Sequence, residues 1–227
     1  MPLVSQLFPP SVKMMVATPD IWQRQVQSAE EAAVRTAVKK RKREYRAGRH
    51  CAAAVLAQLG VVDFPLLNDS KRAPQWPQNI VGSLTHCDNF CCAVASSDPK
   101  IYSLGVDAEP LKPLPKETTP LICSENELSH LLANNLKENY WSAVIFSAKE
   151  AFYKAYFPLC REYLDFSQAN IEFHPNKKTS GDQTQGEFVI QLLTPPHPAL
   201  YNHTTFTGRF VITSSHILTA ITLFKPV

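Results

Sequence analysis

Two acidic residues on alternate positions of a predicted strand constrain this chain more than any other sequence feature. The strand is IYSLGVDAE, from Ile101 to Glu109, and Pro110 ends it. Side chains alternate faces along a strand, so Asp107 and Glu109 share one face, with backbones about 7 Å apart. Val106 and Ala108 face the opposite side, towards the expected core. The two carboxylates either lie on a solvated polar face or share one hard cation.

A third acid lies in a predicted helix, Asn139 to Leu159, that is apolar over most of its surface. Its expected core stripe consists of Ile145, Ala148, Phe152, Ala155 and Leu159. Glu150 lies opposite this stripe beside aromatic residues, and Lys154 follows one helical turn later. An exposed Glu–Lys pair is one interpretation. The aromatic neighbours favour another, a cleft in which Glu150 shares a cation with Asp107 and Glu109.

Each half of the chain combines one long helical region with several short strands. The first half has strands at 11–18, 81–85 and 90–96 and a helical region from Ser28 to Leu59. Ser28 is a candidate N-cap, Gly48 a candidate break and Gly60 a candidate C-terminal stop. This order predicts an α+β fold with two similar subdomains, 1–100 and 101–227, each a long helix on a small, mostly antiparallel sheet with a ligand cleft between them.

In the second half, Ser124 and Glu127 form a capping-box pattern that predicts a short helix before the long one. Four strands follow, in ANIEF, GEFVIQLL, TGRFVIT and HILTAITLF, and Ser214 and Ser215 join the last two as a hairpin. The polar residues His174 to Gly186 predict a hairpin loop between the first two of these strands.

Composition sets limits on location and partners. The 227 residues are 44% apolar and carry a formal net charge of +3, which is too mild to indicate nucleic acid. No run approaches the roughly 18 apolar residues that span a membrane. The N-terminal residues lack a signal-peptide pattern, so we expect a cytoplasmic protein with free cysteines. HCDNFCC could suggest zinc, but it lacks a second ligand pair, and buried thiols are the favoured interpretation.

Cationic residues gather in the first half, in KKRKREYRAGRH and SKRAPQWP, and His86 follows in GSLTH. The first run, Lys39 to Arg46, is also typical of a solvated helix face or a nucleic-acid patch. Arginine, lysine and histidine scattered over loops and strand ends would equally suit a ligand with several phosphates.

With these motifs in place, the chain resembles the larger, pseudo-dimeric 4′-phosphopantetheinyl transferases, within them the type associated with enterobactin synthesis. The matching segments run from about Glu31 to Lys154 and are KRKREYRAGRHCAAAVLAQLG, APQWP, GSLTH, GVDAEP and FSAKEAFYK. The pair GVDxE and FSxKExxxK is specific at this separation. Two departures are small: Ala108 replaces the more common isoleucine, and Thr85 replaces a serine but keeps its hydroxyl.

The resemblance implies two α+β halves with coenzyme A in the cleft between them. It implies Asp107, Glu109 and Glu150 as ligands of Mg²⁺, and Lys154 as a contact of the coenzyme A pyrophosphate. It implies that Thr85 and His86 contact coenzyme A phosphates and that Arg49 meets the nucleotide end. It places Lys71 and Arg72 in the loop against the adenine and ribose, with the choice between these two open. Individual contacts of Lys39 to Arg46 are not assigned.

The implied reaction transfers the 4′-phosphopantetheine arm to a serine of an apo carrier protein with an acidic helix, and 3′,5′-ADP leaves. Asp107, Glu150 and Lys154 are the expected catalytic residues, with Glu150 either the general base or only a metal ligand. The carrier is expected to dock on the segment after Pro110, through CSENELSHLL, and the enzyme is expected to be a monomer. Two alternatives are a Mg²⁺-dependent phosphodiesterase and a basic nucleic-acid-binding module.

Overall fold

The structure is a computed structural model that describes residues 4–136, 139–176 and 184–226. The centre of the hairpin loop predicted from His174 to Gly186 lies outside these residues. The helices are α1 (Ser28–Ala32), α2 (Lys39–Gln58), α3 (Thr119–Ile122), α4 (Glu125–Ala133) and α5 (Trp141–Cys160). The strands are β1 (Lys13–Val16), β2 (Val81–Cys87), β3 (Phe90–Ser96), β4 (Ile101–Pro110), β5 (Ala169–Pro175), β6 (Thr184–Leu192), β7 (Thr205–Ile212) and β8 (His216–Phe224).

These strands form two antiparallel sheets, each with its own long helix. The first sheet has the order β1-β3-β2, and α2 packs on it mainly through β3. The second has the order β4-β8-β7-β6-β5, and α5 packs on β4 and β8. The predicted α+β fold, with two units of one long helix and a mostly antiparallel sheet, is confirmed.

The two sheets meet where β2 runs beside β4, and side-chain hydroxyls join them there. The Ser83 hydroxyl accepts a hydrogen bond from the backbone N–H of Val106 at 3.2 Å. The Thr85 hydroxyl accepts one from the N–H of Ala108 at 3.1 Å. All four groups are buried, so each N–H would cost free energy if it lost its acceptor. The seam between the sheets therefore passes through β4, the strand that carries the predicted acids.

The alternation predicted along β4 is confirmed. Val106 and Ala108 are fully buried, in a core that also contains Cys92 and Val94 from β3 and Leu218 from β8. This core therefore draws on both sheets. Asp107 lies on the opposite face, as the period of two requires.

The single helical region predicted from Ser28 to Leu59 is wrong, because the chain turns between α1 and α2. Residues 33–36 form turns between the two helices. Glu30 of α1 is buried, and its carboxylate accepts a hydrogen bond from the N–H of Leu66 at 2.9 Å. This contact fixes α1 against a loop that follows α2. Ser28 is the first residue of α1 rather than its cap, and no capping side-chain hydrogen bond forms at that end.

The two glycines of this region behave differently. Gly48 was expected to interrupt the helix, but α2 runs through it without a break. Gly60 follows the last turn with a φ of 82°, and the predicted helix stop is confirmed. The capping box of Ser124 and Glu127 at the start of α4 is also confirmed.

Two further expectations concern cysteines and membranes. All six cysteines are free thiols, and five of them, including Cys91 and Cys92 on β3, are buried. Among the described residues, none of the helices combines the length and apolar character needed to cross a bilayer.

Two glycine-to-alanine substitutions should change stability in opposite directions. A Cβ at Gly105 would lie 1.8 Å from the carbonyl oxygen of Ala151, where α5 rests on β4, so G105A should destabilise the fold by about 3 kcal/mol or more. A Cβ at Gly48 would meet Cys91 Sγ at 3.9 Å, an ordinary contact. G48A should therefore stabilise by about 0.5–1 kcal/mol through helix propensity. Urea unfolding of both variants measures this, and a G105A midpoint equal to that of G48A would refute the packing argument.

Candidate active site

A cleft of about 810 Å³ lies between the two units and gathers most of the predicted site residues. Helix α2, the loop before β2 and β2 itself form one wall, and β4 and α5 form the other. The predicted residues that line the cleft are Arg49, Lys71, Arg72, Thr85, His86, Asp107, Glu150 and Lys154. Glu109 lies on the same strand face as Asp107, beyond the lining of the cleft.

Asp107 is the most constrained of these side chains. It is 4% exposed, and its Oδ1 accepts hydrogen bonds from Lys154 Nζ at 2.6 Å and from the Thr85 hydroxyl at 3.0 Å. Its Oδ2 is buried and has no hydrogen-bond partner among the described residues. A buried carboxylate oxygen without a donor is costly. Asp107 thus has one oxygen committed to the protein and one left for a ligand.

Lys154 crosses from α5 to β4. Besides Asp107, its ammonium group donates to the carbonyl oxygen of Val106 at 3.2 Å. Burial lowers the pKa of Lys154, but the Asp107 carboxylate outweighs this, so the net pKa is raised and the side chain stays charged. An ammonium group has three donors, so one remains for a phosphate oxygen.

Glu109 and Glu150 are half-buried acids near Asp107. Burial, with the negative charge of Asp107 next, raises the pKa of Glu109 to about 7. Burial also raises the pKa of Glu150, with Lys154 opposing and Asp107 adding to the effect. The three acids therefore repel one another at neutral pH. Within the described residues, however, no three metal-ligating side chains are arranged closely enough to hold an ion.

The Thr85 hydroxyl is already used within the protein. It has a single proton, which it donates to Asp107, while it accepts from the N–H of Ala108. The same proton therefore cannot be donated to a coenzyme A phosphate while the Asp107 contact lasts. The expected direct contact of Thr85 with coenzyme A stays a prediction.

His86 is held between two residues of α2. Its Nε2 lies 2.9 Å from a terminal nitrogen of Arg41, and its Nδ1 lies 3.6 Å from Glu44. Burial lowers the pKa of His86, while the charge of Glu44 raises it and that of Arg41 lowers it. Because arginine can only donate, Nε2 is the acceptor and the proton is on Nδ1. His86 is therefore a neutral imidazole at the cleft wall.

The loop before β2 connects the two units at one lip of the cleft. Asp69 accepts hydrogen bonds from the N–H groups of Lys71 and Ala73, which shape the loop. Arg161, just after α5, donates to Asp69 at 2.6 Å, and Lys71 Nζ donates to the Arg161 carbonyl at 3.0 Å. Lys71 is thus engaged in a contact across the cleft, whereas Arg72 lines the cleft in a left-handed conformation, with a φ of 67°.

Helix α2 contributes cleft residues that the sequence reasoning missed. Arg41, Glu44 and Tyr45 line the cleft together with the predicted Arg49. Arg41, Tyr45 and Arg49 are spaced by four residues, so they lie on one helix face. This four-residue spacing within KRKREYRAGR is the sequence signal that could have identified Arg41 and Tyr45 as cleft residues.

Lys149 was also missed, although it lies between two residues of the predicted α5 core stripe. Its ammonium group is buried and donates to Glu127 at 3.0 Å and to the carbonyls of Ile122 and Phe166 at 2.8 Å. The Lys149–Glu127 pair thereby holds α4 and its flanking segments on α5, on the side away from the cleft. Lys149 and Glu150 are neighbours in FSAKEAFYK but have different roles. Lys149 is buried against Glu127, whereas Glu150 lines the cleft.

Comparison with known protein families agrees with this architecture. Residues 29–96 match the family model described as the 4′-phosphopantetheinyl transferase N-terminal domain. Residues 103–213 match that of the 4′-phosphopantetheinyl transferase superfamily.

Three curated relatives show how far the similarity extends. The 4′-phosphopantetheinyl transferase PptT of Mycobacterium tuberculosis is 38% identical over 190 residues, covering 82% of this chain and 81% of PptT. The 4′-phosphopantetheinyl transferase Npt of Nocardia iowensis is 36% identical over 199 residues, covering 85% of this chain and 87% of Npt. Enterobactin synthase component D of Salmonella typhi is 37% identical over 125 residues, covering 54% of this chain and 51% of that protein.

The resemblance seen in the motifs is thereby confirmed over most of the chain. The chain belongs to the 4′-phosphopantetheinyl transferase superfamily, and it is an enzyme that transfers the phosphopantetheine arm of coenzyme A to carrier proteins.

Proposed function

We propose that Asp107, Glu109 and Glu150 hold one divalent cation, Mg²⁺, and that the pyrophosphate of coenzyme A binds between this cation and Lys154. The observation that carries the proposal is Oδ2 of Asp107, a buried carboxylate oxygen without a donor beside two further acids. The donor types fit, because carboxylate oxygens are the ligands that Mg²⁺ prefers. Binding one ion would draw the three carboxylates closer together than the structure places them. A cation would also offset the burial and the neighbouring negative charge that raise the pKa values of Glu109 and Glu150.

The chemistry follows from the groups at this end of the cleft. The bound cation would neutralise phosphate oxygens and so stabilise charge in the transition state. The carrier serine oxygen forms a bond to the β-phosphorus, the bond from that phosphorus to the bridging oxygen breaks, and 3′,5′-ADP leaves. Glu150 lines the cleft and is the candidate that accepts the serine proton. Lys154 places its remaining donor on the phosphate.

The N-terminal wall would hold the nucleotide end of coenzyme A. We assign Arg49, Arg72 and His86 to it, with Lys71 able to join when its contact with Arg161 opens. Thr85 acts in this proposal through Asp107: its hydroxyl fixes Oδ1 and so leaves Oδ2 for the cation. The two subdomains would then be 1–100 and 101–227, each supplying one wall.

The partner would be an apo acyl, peptidyl or aryl carrier protein with an acidic helix near its serine. The net charge of +3 suits electrostatic steering of such a partner. We place its docking surface on the segment after Pro110, through α3 and α4, where Leu121 and Leu132 are exposed. A monomer in the cytoplasm completes the proposal, because one chain supplies both walls of the cleft.

Intact mass of an apo carrier domain incubated with this enzyme, coenzyme A and Mg²⁺ tests the site directly. We expect a gain of one phosphopantetheine that is lost with EDTA and returns with excess Mg²⁺. D107N should slow the transfer at least about 100-fold, because it removes a charged ligand of the cation. D63N, at an exposed acid outside the cleft, is the matched control and should keep wild-type activity. Full labelling by D107N in EDTA would overturn the assignment.

Glu150→Gln separates the two roles of Glu150. If Glu150 is the general base, kcat should fall by about 10²- to 10⁴-fold while the KM for coenzyme A changes little. Raising the Mg²⁺ concentration should not restore this kcat, since the lost function is proton acceptance. Steady-state kinetics at several Mg²⁺ concentrations measure both effects. Near-normal turnover would exclude the base role, and recovery at high Mg²⁺ would reduce Glu150 to a metal ligand.

Substitutions of Thr85 test whether it acts through Asp107. Thr85→Val removes the donor to Oδ1 and should weaken Mn²⁺ binding, followed by electron paramagnetic resonance, by about tenfold. Thr85→Ser keeps the hydroxyl and should restore it. Calorimetry without metal should give a coenzyme A affinity within about twofold of wild type for both variants. A selective loss of coenzyme A affinity in Thr85→Val would instead support a direct phosphate contact, and thermal unfolding checks that each variant is folded.

A further inference from the structure

A pair of hydroxyl groups lies in the apolar interface between α5 and the five-stranded sheet. Thr219 of β8 and Ser147 of α5 are both fully buried. On its strand face Thr219 lies between Ile217 and Ile221, which belong to the same core as the apolar residues of α5. Apolar side chains at these two positions would pack there without any polar group to satisfy. The hydroxyls are therefore not needed to fill this core, and the site described so far gives them no role.

The hydrogen bonds of this pair have a definite direction. The Thr219 hydroxyl donates to the backbone carbonyl oxygen of Ser147 at 2.8 Å. Because a hydroxyl has one proton, the Ser147 hydroxyl is then the donor in its own contact with the Thr219 hydroxyl, also at 2.8 Å. Both contacts are lost if α5 slides or rotates on β8. Apolar contacts impose no such restriction, since the hydrophobic effect is non-directional.

The position of the pair relates it to the site residues of the cleft. Thr219 lies directly opposite Asp107 in the pairing of β8 with β4, so both side chains share the sheet face that α5 covers. On α5, Ser147 precedes Glu150 by three residues and Lys154 by seven, which places these three on one side of the helix. The two hydroxyls therefore fix α5 one turn before Glu150, on the strand next to that of Asp107.

The approach of α5 to β4 is close, but it does not by itself select one position of the helix. A Cβ at Gly105 would lie 1.8 Å from the carbonyl oxygen of Ala151, so helix backbone and strand backbone touch there. A glycine permits this approach and offers no side-chain hydrogen bond to hold the helix. Slippage of α5 by one residue would move Glu150 about 1.5 Å along the axis and turn it by about 100°. Misplacement of a catalytic group by about 1 Å can cost about 100-fold in rate.

We propose that Thr219 and Ser147 are positioning residues for the transfer reaction. Their hydrogen bonds select the one position of α5 on the sheet in which Glu150 and Lys154 meet Asp107. Neither hydroxyl touches coenzyme A or the carrier serine, since both are enclosed between helix and sheet. They act through the backbone of α5. This inference rests on the proposed function, in which these three residues of the cleft carry out the transfer.

A single variant and a double variant separate positioning from stability. Thr219→Val removes the hydroxyl at nearly constant volume and leaves the Ser147 hydroxyl without its acceptor, so the urea midpoint should fall. In the double variant S147A/T219V both polar groups are gone, and the midpoint should return close to that of wild type. In carrier labelling, kcat should be at least about tenfold below wild type in both variants. Activity that does not recover when stability recovers identifies a positioning role.

The affinity for 3′,5′-ADP and a conservative variant give two further readouts. Calorimetry should give a 3′,5′-ADP affinity within about twofold of wild type for T219V, because the nucleotide end is assigned to the opposite wall of the cleft. Thr219→Ser keeps the hydroxyl and should hold kcat within about threefold of wild type.

Ser96→Ala is the matched control. It removes another buried hydroxyl, which donates to the Ser11 carbonyl at 3.0 Å and accepts from the N–H of Asp98 at 3.1 Å, outside the cleft lining. This variant should lower the urea midpoint and leave kcat unchanged. Wild-type kcat in T219V, or kcat that returns with stability in the double variant, would overturn the inference. If D107N still abolishes transfer in that case, the proposed function stands, whereas normal transfer by D107N would overturn both.

Discussion

The interaction on which the rest of the structure depends is the convergence of Thr85 and Lys154 on one oxygen of Asp107. Thr85 comes from the three-stranded sheet, and Lys154 comes from the helix of the five-stranded unit, so a single buried carboxylate is held from both sides. Burying a charge is tolerated only when partners of this kind replace its water. The contact that satisfies Oδ1 of Asp107 is thus also one that sets the two units beside each other, and it leaves Oδ2 buried without a donor among the described residues.

Besides this seam, two exposed contacts join the units, one at a lip of the cleft and one outside its lining. At one lip, Asp69 pairs with Arg161. At another point, the His216 ring lies 3.2 Å from the Asp88 carbonyl. Exposed contacts of this sort contribute about 1 kcal/mol or less each, whereas removing one partner of a buried pair costs about 3–5 kcal/mol. The edges of the cleft are therefore cheaper to open than its floor, and ligand exchange would disturb the loop before β2 more readily than the Asp107 cluster.

The parts of the fold and site that were predictable from the sequence are those whose cause lies within a few residues. The face shared by Asp107 and Glu109 follows from the period of a strand, and the cleft position of Glu150 follows from the period of a helix. The missed features depend on partners distant in sequence. Glu30 holds α1 to a backbone group 36 residues away, and Lys71 contacts a carbonyl 90 residues away. No local pattern contains such partners, so neither the helix break nor the engagement of Lys71 could be derived.

The basic residues of α2 fall into two groups, those with an acidic or aromatic partner in the chain and those that line the cleft. By its composition, KKRKREYR suits a solvated face or nucleic acid, but the structure gives most of these cations a partner within the chain. Lys40 pairs with Asp88, Arg46 with Glu31, and Arg43 lies over the Trp22 ring. Arg41 and Arg49 instead face the cleft with neutral partners. Acids and an aromatic ring thus compensate the outer cations of α2, whereas the two guanidiniums with uncharged partners line the cleft together with Tyr45.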